Sequence, residues 1–104
     1  MAFKEVMREE LRNSLRMEKG YLAALARLPR GTLVKKLIHK RPYYYLVSRD
    51  EGRVRFHYLG NLSEARQQRY AAAKAKRALY RRLLAQVRQQ LKFLRRMLRA
   101  KPTV

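Results

Sequence analysis

The sequence predicts an α+β fold in which a helix, a three-stranded antiparallel β-meander and a long helix follow one another. Three observations predict this order. Apolar side chains recur at three- and four-residue steps over residues 2–28, aromatic and β-branched residues are dense over residues 33–59, and residues 62–100 contain neither Gly nor Pro. A chain of 104 residues is long enough for a modest core, so we expect residues 1–104 to form a single domain.

The first helix is predicted over residues 2–28. Glu5, Glu9 and Glu10 place negative charge near its N-terminus, as the helix dipole favours, and Pro29 ends it. One apolar stripe follows the helix, consisting of Val6, Met7, Leu11, Leu15, Leu22, Leu25 and Leu28. This stripe predicts that the helix packs against another element.

The meander is predicted to have strands over residues 33–40, 43–49 and 53–59. Asp50-Glu51-Gly52 fits a three-residue hairpin loop with Gly52 in the left-handed region. That loop would set Leu46 opposite Phe56 and Tyr45 opposite His57. Val54, Phe56 and Tyr58 would then lie on a buried apolar face. The other face would expose Tyr45, Arg49, Arg53, Arg55 and His57.

The long helix is predicted over residues 62–100, with Asn61 as N-cap and Glu64 completing a capping box. It has an apolar heptad seam at Tyr70, Ala73, Tyr80, Leu84, Val87, Leu91, Leu94 and Leu98. The seam predicts an antiparallel coiled-coil hairpin with the first helix. One charged residue interrupts each seam: Glu18 on the first helix and Arg77 on the long helix. An alignment that places these two residues opposite each other also places Leu15 opposite Tyr80.

This alignment leaves the chain from Lys92 onward without an intramolecular partner, although Phe93, Leu94, Met97 and Leu98 are apolar. The C-terminal end of the long helix is therefore expected either to fray or to bind a second copy, giving a homodimer, or another protein partner. Residues 101–104 are predicted to be a disordered tail.

The charge of the chain predicts a polyanionic partner. Lys and Arg number 27 against 7 for Asp and Glu, a net charge of +20, and the excess grows toward the C-terminus. Self-repulsion of this size disfavours a compact state without counter-charge. Arg and aromatic side chains on one surface indicate nucleic-acid binding, with double-stranded DNA slightly favoured over structured RNA. The predicted contacts are Tyr45, Arg49, Arg53, Arg55, His57, Lys35 and Lys36, with Arg66, Arg69, Lys76, Arg81 and Arg88 on the long helix.

Other functional classes find less support in the sequence. There is no Cys, and His39 and His57 do not form a metal-ligand pattern, so neither a metal nor another cofactor is expected. No catalytic motif is present, and we expect a protein that is not an enzyme. No stretch is apolar enough to span a bilayer and no signal peptide is recognisable, which favours a cytoplasmic protein without membrane contact. The alternative function is a protein-interaction or assembly subunit, such as the partner of an acidic protein or a component of a ribonucleoprotein.

Several short motifs carry a family resemblance. Leu28-Pro29-Arg30-Gly31-Thr32-Leu33, Tyr43-Tyr44-Tyr45, Gly52-Arg53-Val54 and Tyr58-Leu59-Gly60 resemble a family of small uncharacterised bacterial proteins. The Tyr-rich hairpin is also similar to the N-terminal part of some insertion-element transposases. Three strands followed by a helix resemble the arm-site DNA-binding domain of tyrosine integrases. These resemblances imply mobile-element or nucleic-acid biology and no particular enzymatic activity.

Overall fold

A computed structural model describes residues Ala2–Lys101 and confirms the predicted α+β order. The elements are α1 (Phe3–Arg27), β1 (Thr32–Ile38), β2 (Arg41–Asp50), β3 (Arg53–Gly60) and α2 (Glu64–Arg99). The chain contains two compact units: a helical unit made of α1 and the part of α2 after Arg77, and a sheet unit made of residues Leu28–Arg77. Most of the predicted disordered tail, residues 102–104, lies outside the described residues.

The helical unit is an antiparallel pair of helices, and the seam predicted for α2 is confirmed there. Leu84, Val87, Leu91 and Leu94 are all buried. The seam predicted for α1 is wrong in part. Leu15 and Leu22 are 38% and 43% exposed, whereas Ser14 is buried and the Tyr21 ring lies 6.3 Å from that of Tyr80. The face of α1 that meets α2 is therefore displaced by one position from the most hydrophobic stripe.

The predicted alignment of the two helices is also wrong. Glu18 Oε2 accepts a hydrogen bond from Arg88 Nε at 3.0 Å, whereas Arg77 Nη2 donates to the Pro29 carbonyl at 2.5 Å. Glu18 thus meets a residue eleven positions further along α2 than predicted (88 − 77). The displacement has a physical reason, because it covers Leu91 and Leu94, which the predicted alignment leaves near the end of the paired region or beyond it.

The C-terminal end of α2 is consequently not the free apolar end that the sequence predicts. Leu94 is 3% exposed and Met97 and Leu98 are half-buried, while Phe93 is 52% exposed. The helical unit therefore packs most of the apolar side chains of this end within the chain itself.

The sheet unit contains the predicted meander, with strand order β1-β2-β3 and both neighbouring pairs antiparallel. The hairpin loop differs from the prediction. Asp50 pairs with Arg53, so that only Glu51 and Gly52 form the loop, with φ angles of 49° and 78°. Two residues at positive φ are the signature of a type I′ turn, whose twist matches that of the flanking strands.

The shorter loop slips the predicted register by one residue and exchanges the two faces of β3. Phe56 lies opposite Val47 and Tyr58 opposite Tyr45, and the pairing shifts at a β-bulge between Tyr44 and Tyr45. The predicted burial of the apolar side of β3 is therefore wrong, since Phe56 is 60% and Tyr58 59% exposed.

The beginning of α2 completes the sheet unit. Tyr44, Leu62 and Ala73 are its buried apolar residues. The N-cap of α2 is Ser63 rather than the predicted Asn61, because Ser63 Oγ accepts a hydrogen bond from the Arg66 backbone N at 3.3 Å. The helix accordingly begins at Glu64, two residues after the predicted start.

Candidate nucleic-acid interface

One face of the sheet is both aromatic and basic, and all three strands contribute to it. We call this surface the aromatic face; its residues are Lys36, Tyr43, Tyr45, Arg49, Phe56 and Tyr58. The pairing of Tyr45 with Tyr58 across β2 and β3 brings their ring centroids to 5.3 Å. Tyr43 extends the cluster, with its centroid 6.3 Å from Tyr58. The rings form one continuous patch because neighbouring strands hold same-face side chains about 5 Å apart.

A cation lies within this aromatic patch. Lys36 Nζ is 5.3 Å from the centroid of the Tyr45 ring and 5.9 Å from that of Phe56, both within the range of cation–π attraction. Lys36 and Arg49 are solvent-exposed. The face therefore offers flat apolar rings and positive charge in the same small area, which suits a ligand with both π-faces and negative groups.

The opposite side of β3 carries a different set of charges. Arg55 lies opposite Ser48 and His57 opposite Leu46, and with Arg30 and Asp50 they line a shallow depression that Arg49 also borders. Asp50 Oδ2 lies 3.7 Å from Arg55 Nε, with both side chains more than half exposed. We call this surface the arginine face; its residues are Arg30, Arg53, Arg55 and His57.

The single binding surface predicted from the sequence is thus divided between two faces. Tyr45, Arg49 and Lys36 share the aromatic face, whereas Arg53, Arg55, His57 and Lys35 lie on the other side of the sheet. Sequence reasoning missed Tyr43, Phe56 and Tyr58. Phe56 and Tyr58 were missed because the sequence favours the three-residue loop, whereas the two-residue loop at Glu51-Gly52 places both on the face of Tyr45.

The basic residues predicted on α2 are all exposed but belong to separate units. Arg66, Arg69 and Lys76 lie in the sheet unit. Arg81 and Arg88 lie in the helical unit, where Arg88 is bonded to Glu18. Arg88 also borders a groove whose other lining residues are Glu18, Leu91, Lys92, Arg95 and Arg99. One predicted contact, Arg88, therefore has an acidic partner within the chain.

Comparison with known proteins places the chain in a family. The family model described as "Domain of unknown function (DUF6788)" matches residues 7–69, which is more than half of the chain. The chain belongs to this family. The DUF6788 region begins in α1, contains the three strands with their aromatic face, and ends early in α2. No curated protein and no solved structure matches the chain significantly. The resemblance to insertion-element transposases stays a prediction.

None of the helices within residues Ala2–Lys101 is both long and apolar enough to cross a membrane. No group of three or more His, Asp or Glu side chains in the same range is arranged to hold a metal ion.

Proposed function

We propose that this protein binds nucleic acid without catalysis, stacking unpaired bases on its aromatic face and contacting phosphates with the surrounding Lys and Arg side chains. The observation that carries the proposal is the exposure of Phe56 and Tyr58 beside Lys36 and Arg49. Base stacking on aromatic side chains contributes about 1–3 kcal/mol per base, and the net charge of +20 attracts a polyanion.

The arrangement of the face favours unpaired bases over the duplex DNA that the sequence alone favours. In a duplex the bases stack on one another and present only their edges, so exposed rings such as Phe56 and Tyr58 have no π-face to contact. Loops of structured RNA and single-stranded DNA offer such faces. Double-stranded DNA is the alternative ligand, and it would use the arginine face through phosphate contacts.

The two sheet faces allow a direct test. We suggest measuring fluorescence anisotropy with single-stranded RNA, single-stranded DNA and duplex DNA of one sequence, across a salt series. The variants are Phe56→Ala and Tyr58→Ala on the aromatic face, with Arg53→Ala/Arg55→Ala on the arginine face as the comparison. Each aromatic variant is expected to weaken single-strand binding roughly 5- to 140-fold and to leave the salt dependence unchanged.

Charge variants on the same face should behave differently. Lys36→Gln and Arg49→Gln are each expected to reduce the slope of log K against log salt by about 0.7 on single strands, the value for one lost phosphate contact. Tyr58→Phe keeps the ring and is the conservative control, which should bind like wild type.

Two other outcomes of this experiment would support the alternative functions instead. If only Arg53→Ala/Arg55→Ala lowers affinity, and does so for the duplex, the duplex alternative is correct. If wild type binds all three nucleic acids weakly and equally, and purifies free of material absorbing at 260 nm, the protein-interaction alternative replaces the proposal.

A further inference from the structure

The helical unit contains a second apolar stripe on α2, beside the one that packs against α1. Leu79 and Phe93 are large exposed hydrophobics on this stripe. The stripe advances in alternating four- and three-residue steps, as a coiled-coil seam does. Its members are Leu79, Leu83, Gln86, Gln90, Phe93 and Met97. None of these six side chains carries a charge.

A matching stripe follows α1. Phe3, Val6 and Met17 are exposed, with Met17 at 48%. Steps of three and four residues place them on one side of the helix, and the complete stripe is Phe3, Val6, Glu10, Asn13, Met17, Gly20 and Ala24. Its single charge is the acid Glu10, in a chain where basic residues outnumber acidic ones by 27 to 7.

The two stripes adjoin on the same side of the helix pair. A groove between the helices is lined by Met17 and Tyr21 from α1 and by Leu83, Gln86 and Gln90 from α2, together with Glu10, Ser14 and Val87. These residues come from both stripes and from the seam between them. We call this side of the helical unit the neutral side.

We propose that the neutral side binds the neutral side of a second copy of the chain, giving a four-helix bundle. The charge distribution selects this occupant. A second copy carries the same strong positive charge, so contact through the groove lined by Arg88, Lys92, Arg95 and Arg99 would set like charges against each other. No Lys or Arg belongs to either stripe, and the Arg16 guanidinium, which donates to Asn13 Oδ1, lies at the edge of the neutral side.

The size of the neutral side is adequate for a stable dimer. α1 has 25 residues, which corresponds to a length of about 37 Å, and two adjacent helices of roughly 10 Å diameter span about 20 Å. Their product, on the order of 700 Å², is close to the ~800 Å² that each partner contributes to a standard interface. α2 thus has two adjacent uncharged seams, and a helix that packs along two seams is the pattern of a bundle with more than two helices.

The test is the oligomeric state of the full chain by sedimentation velocity, after nuclease treatment and removal of nucleic acid in about 0.5 M NaCl to screen repulsion. Wild type is expected to sediment with twice the monomer mass of 12.5 kDa at micromolar concentration. Met17→Glu and Phe93→Glu are expected to weaken the dimer at least 30-fold. Gln90→Arg removes no apolar side chain, and by placing like charges in the interface it should also give the monomer.

The matched control is Leu22→Glu, because Leu22 is exposed to a similar degree but does not belong to the stripe on α1. It should stay dimeric, and circular dichroism should show unchanged helicity for all four variants. A wild-type monomer up to about 100 μM overturns the proposal. So does a dimer that Gln90→Arg and Leu22→Glu leave equally intact, since the interface would then lie on another surface.

Discussion

Gly31 is the residue at which local backbone geometry most restricts the sequence. Its φ is +97°, and an added Cβ would lie 2.9 Å from Leu46 Cγ and 3.1 Å from the Val47 carbonyl oxygen. An L-residue at Gly31 would therefore combine backbone strain with a steric clash against the middle strand. We expect Gly31→Ala to destabilise the protein by roughly 2 kcal/mol or more, measured as a lower midpoint of urea unfolding monitored by circular dichroism.

Gly20 is the matched control for this prediction. Apart from its chain neighbours and the backbone of its own helix, no atom lies within 4 Å of a Cβ placed there, and the residue is inside α1, where Ala is favoured over Gly by about 1 kcal/mol. Gly20→Ala should raise the midpoint while Gly31→Ala lowers it. The measurement belongs in the Gln90→Arg background, so that it reports folding without association. Equal effects of the two substitutions would contradict the steric account of Gly31.

At the level of elements, the alignment of α1 on α2 can be tested through the ion pair of Glu18 with Arg88. A double-mutant cycle with Glu18→Gln and Arg88→Gln should give a coupling energy of about 0.2–1 kcal/mol, because both side chains retain contact with solvent. The coupling should shrink as salt is added. The coupling energy is calculated from the free energies of unfolding of the two single variants, the double variant and the unsubstituted pair, all in the Gln90→Arg background.

The control cycle combines Glu18→Gln with Arg77→Gln. Arg77 donates to the Pro29 carbonyl instead, so these two substitutions should be additive within about 0.3–0.5 kcal/mol. Coupling between Glu18 and Arg77 with none between Glu18 and Arg88 would restore the alignment predicted from the sequence.

The success and failure of the sequence predictions have a common physical origin. The seam on α2 was predictable because all of its members from Tyr80 to Leu98 are apolar, whereas the second stripe includes Gln86 and Gln90. On α1 the most hydrophobic positions, Leu15 among them, flank a contact made by Ser14 and Glu18, and the partner helix decides which stripe is covered. Periodicity identifies an amphipathic helix but does not supply this choice.

The hairpin register failed for a related reason. Asp50-Glu51-Gly52 fits a three-residue loop in which only Gly52 has positive φ. The shorter loop requires positive φ at Glu51 as well, which is unfavourable for that residue alone. Pairing along the strands outweighs this local cost. The resulting shift of one residue in the pairing of β3 moves Phe56 and Tyr58 to the other face of the sheet. It thereby changes which residues make up the candidate site.

On the scale of the whole molecule, the positively charged side chains have few acidic residues near them to neutralise their charge. Residues 62–104 contain 13 basic residues and one acidic residue. The Glu18–Arg88 and Asp50–Arg55 contacts are the two ion pairs among residues Ala2–Lys101. Most cations are thus without an acidic partner there, and the folded state contains more mutual repulsion than the expanded unfolded chain.

This imbalance predicts that salt stabilises the protein. Raising NaCl from about 20 mM to about 500 mM shortens the screening length from roughly 20 Å to about 4 Å, so repulsion between cations on different elements weakens more than short contacts do. We expect the thermal midpoint to rise by about 4–8 °C for each 1 kcal/mol by which salt lowers the repulsion in the folded state. The midpoint is measured by circular dichroism on nucleic-acid-free protein in the monomeric Gln90→Arg background. Replacing Arg66, Arg69 and Lys76 by Gln in that background lowers its net charge by 3, and this variant should begin with a higher midpoint and rise less with salt. A midpoint that falls as salt is added would show that attraction in pairs such as Glu18 with Arg88 outweighs repulsion, which would remove the electrostatic reason for expecting a polyanionic partner.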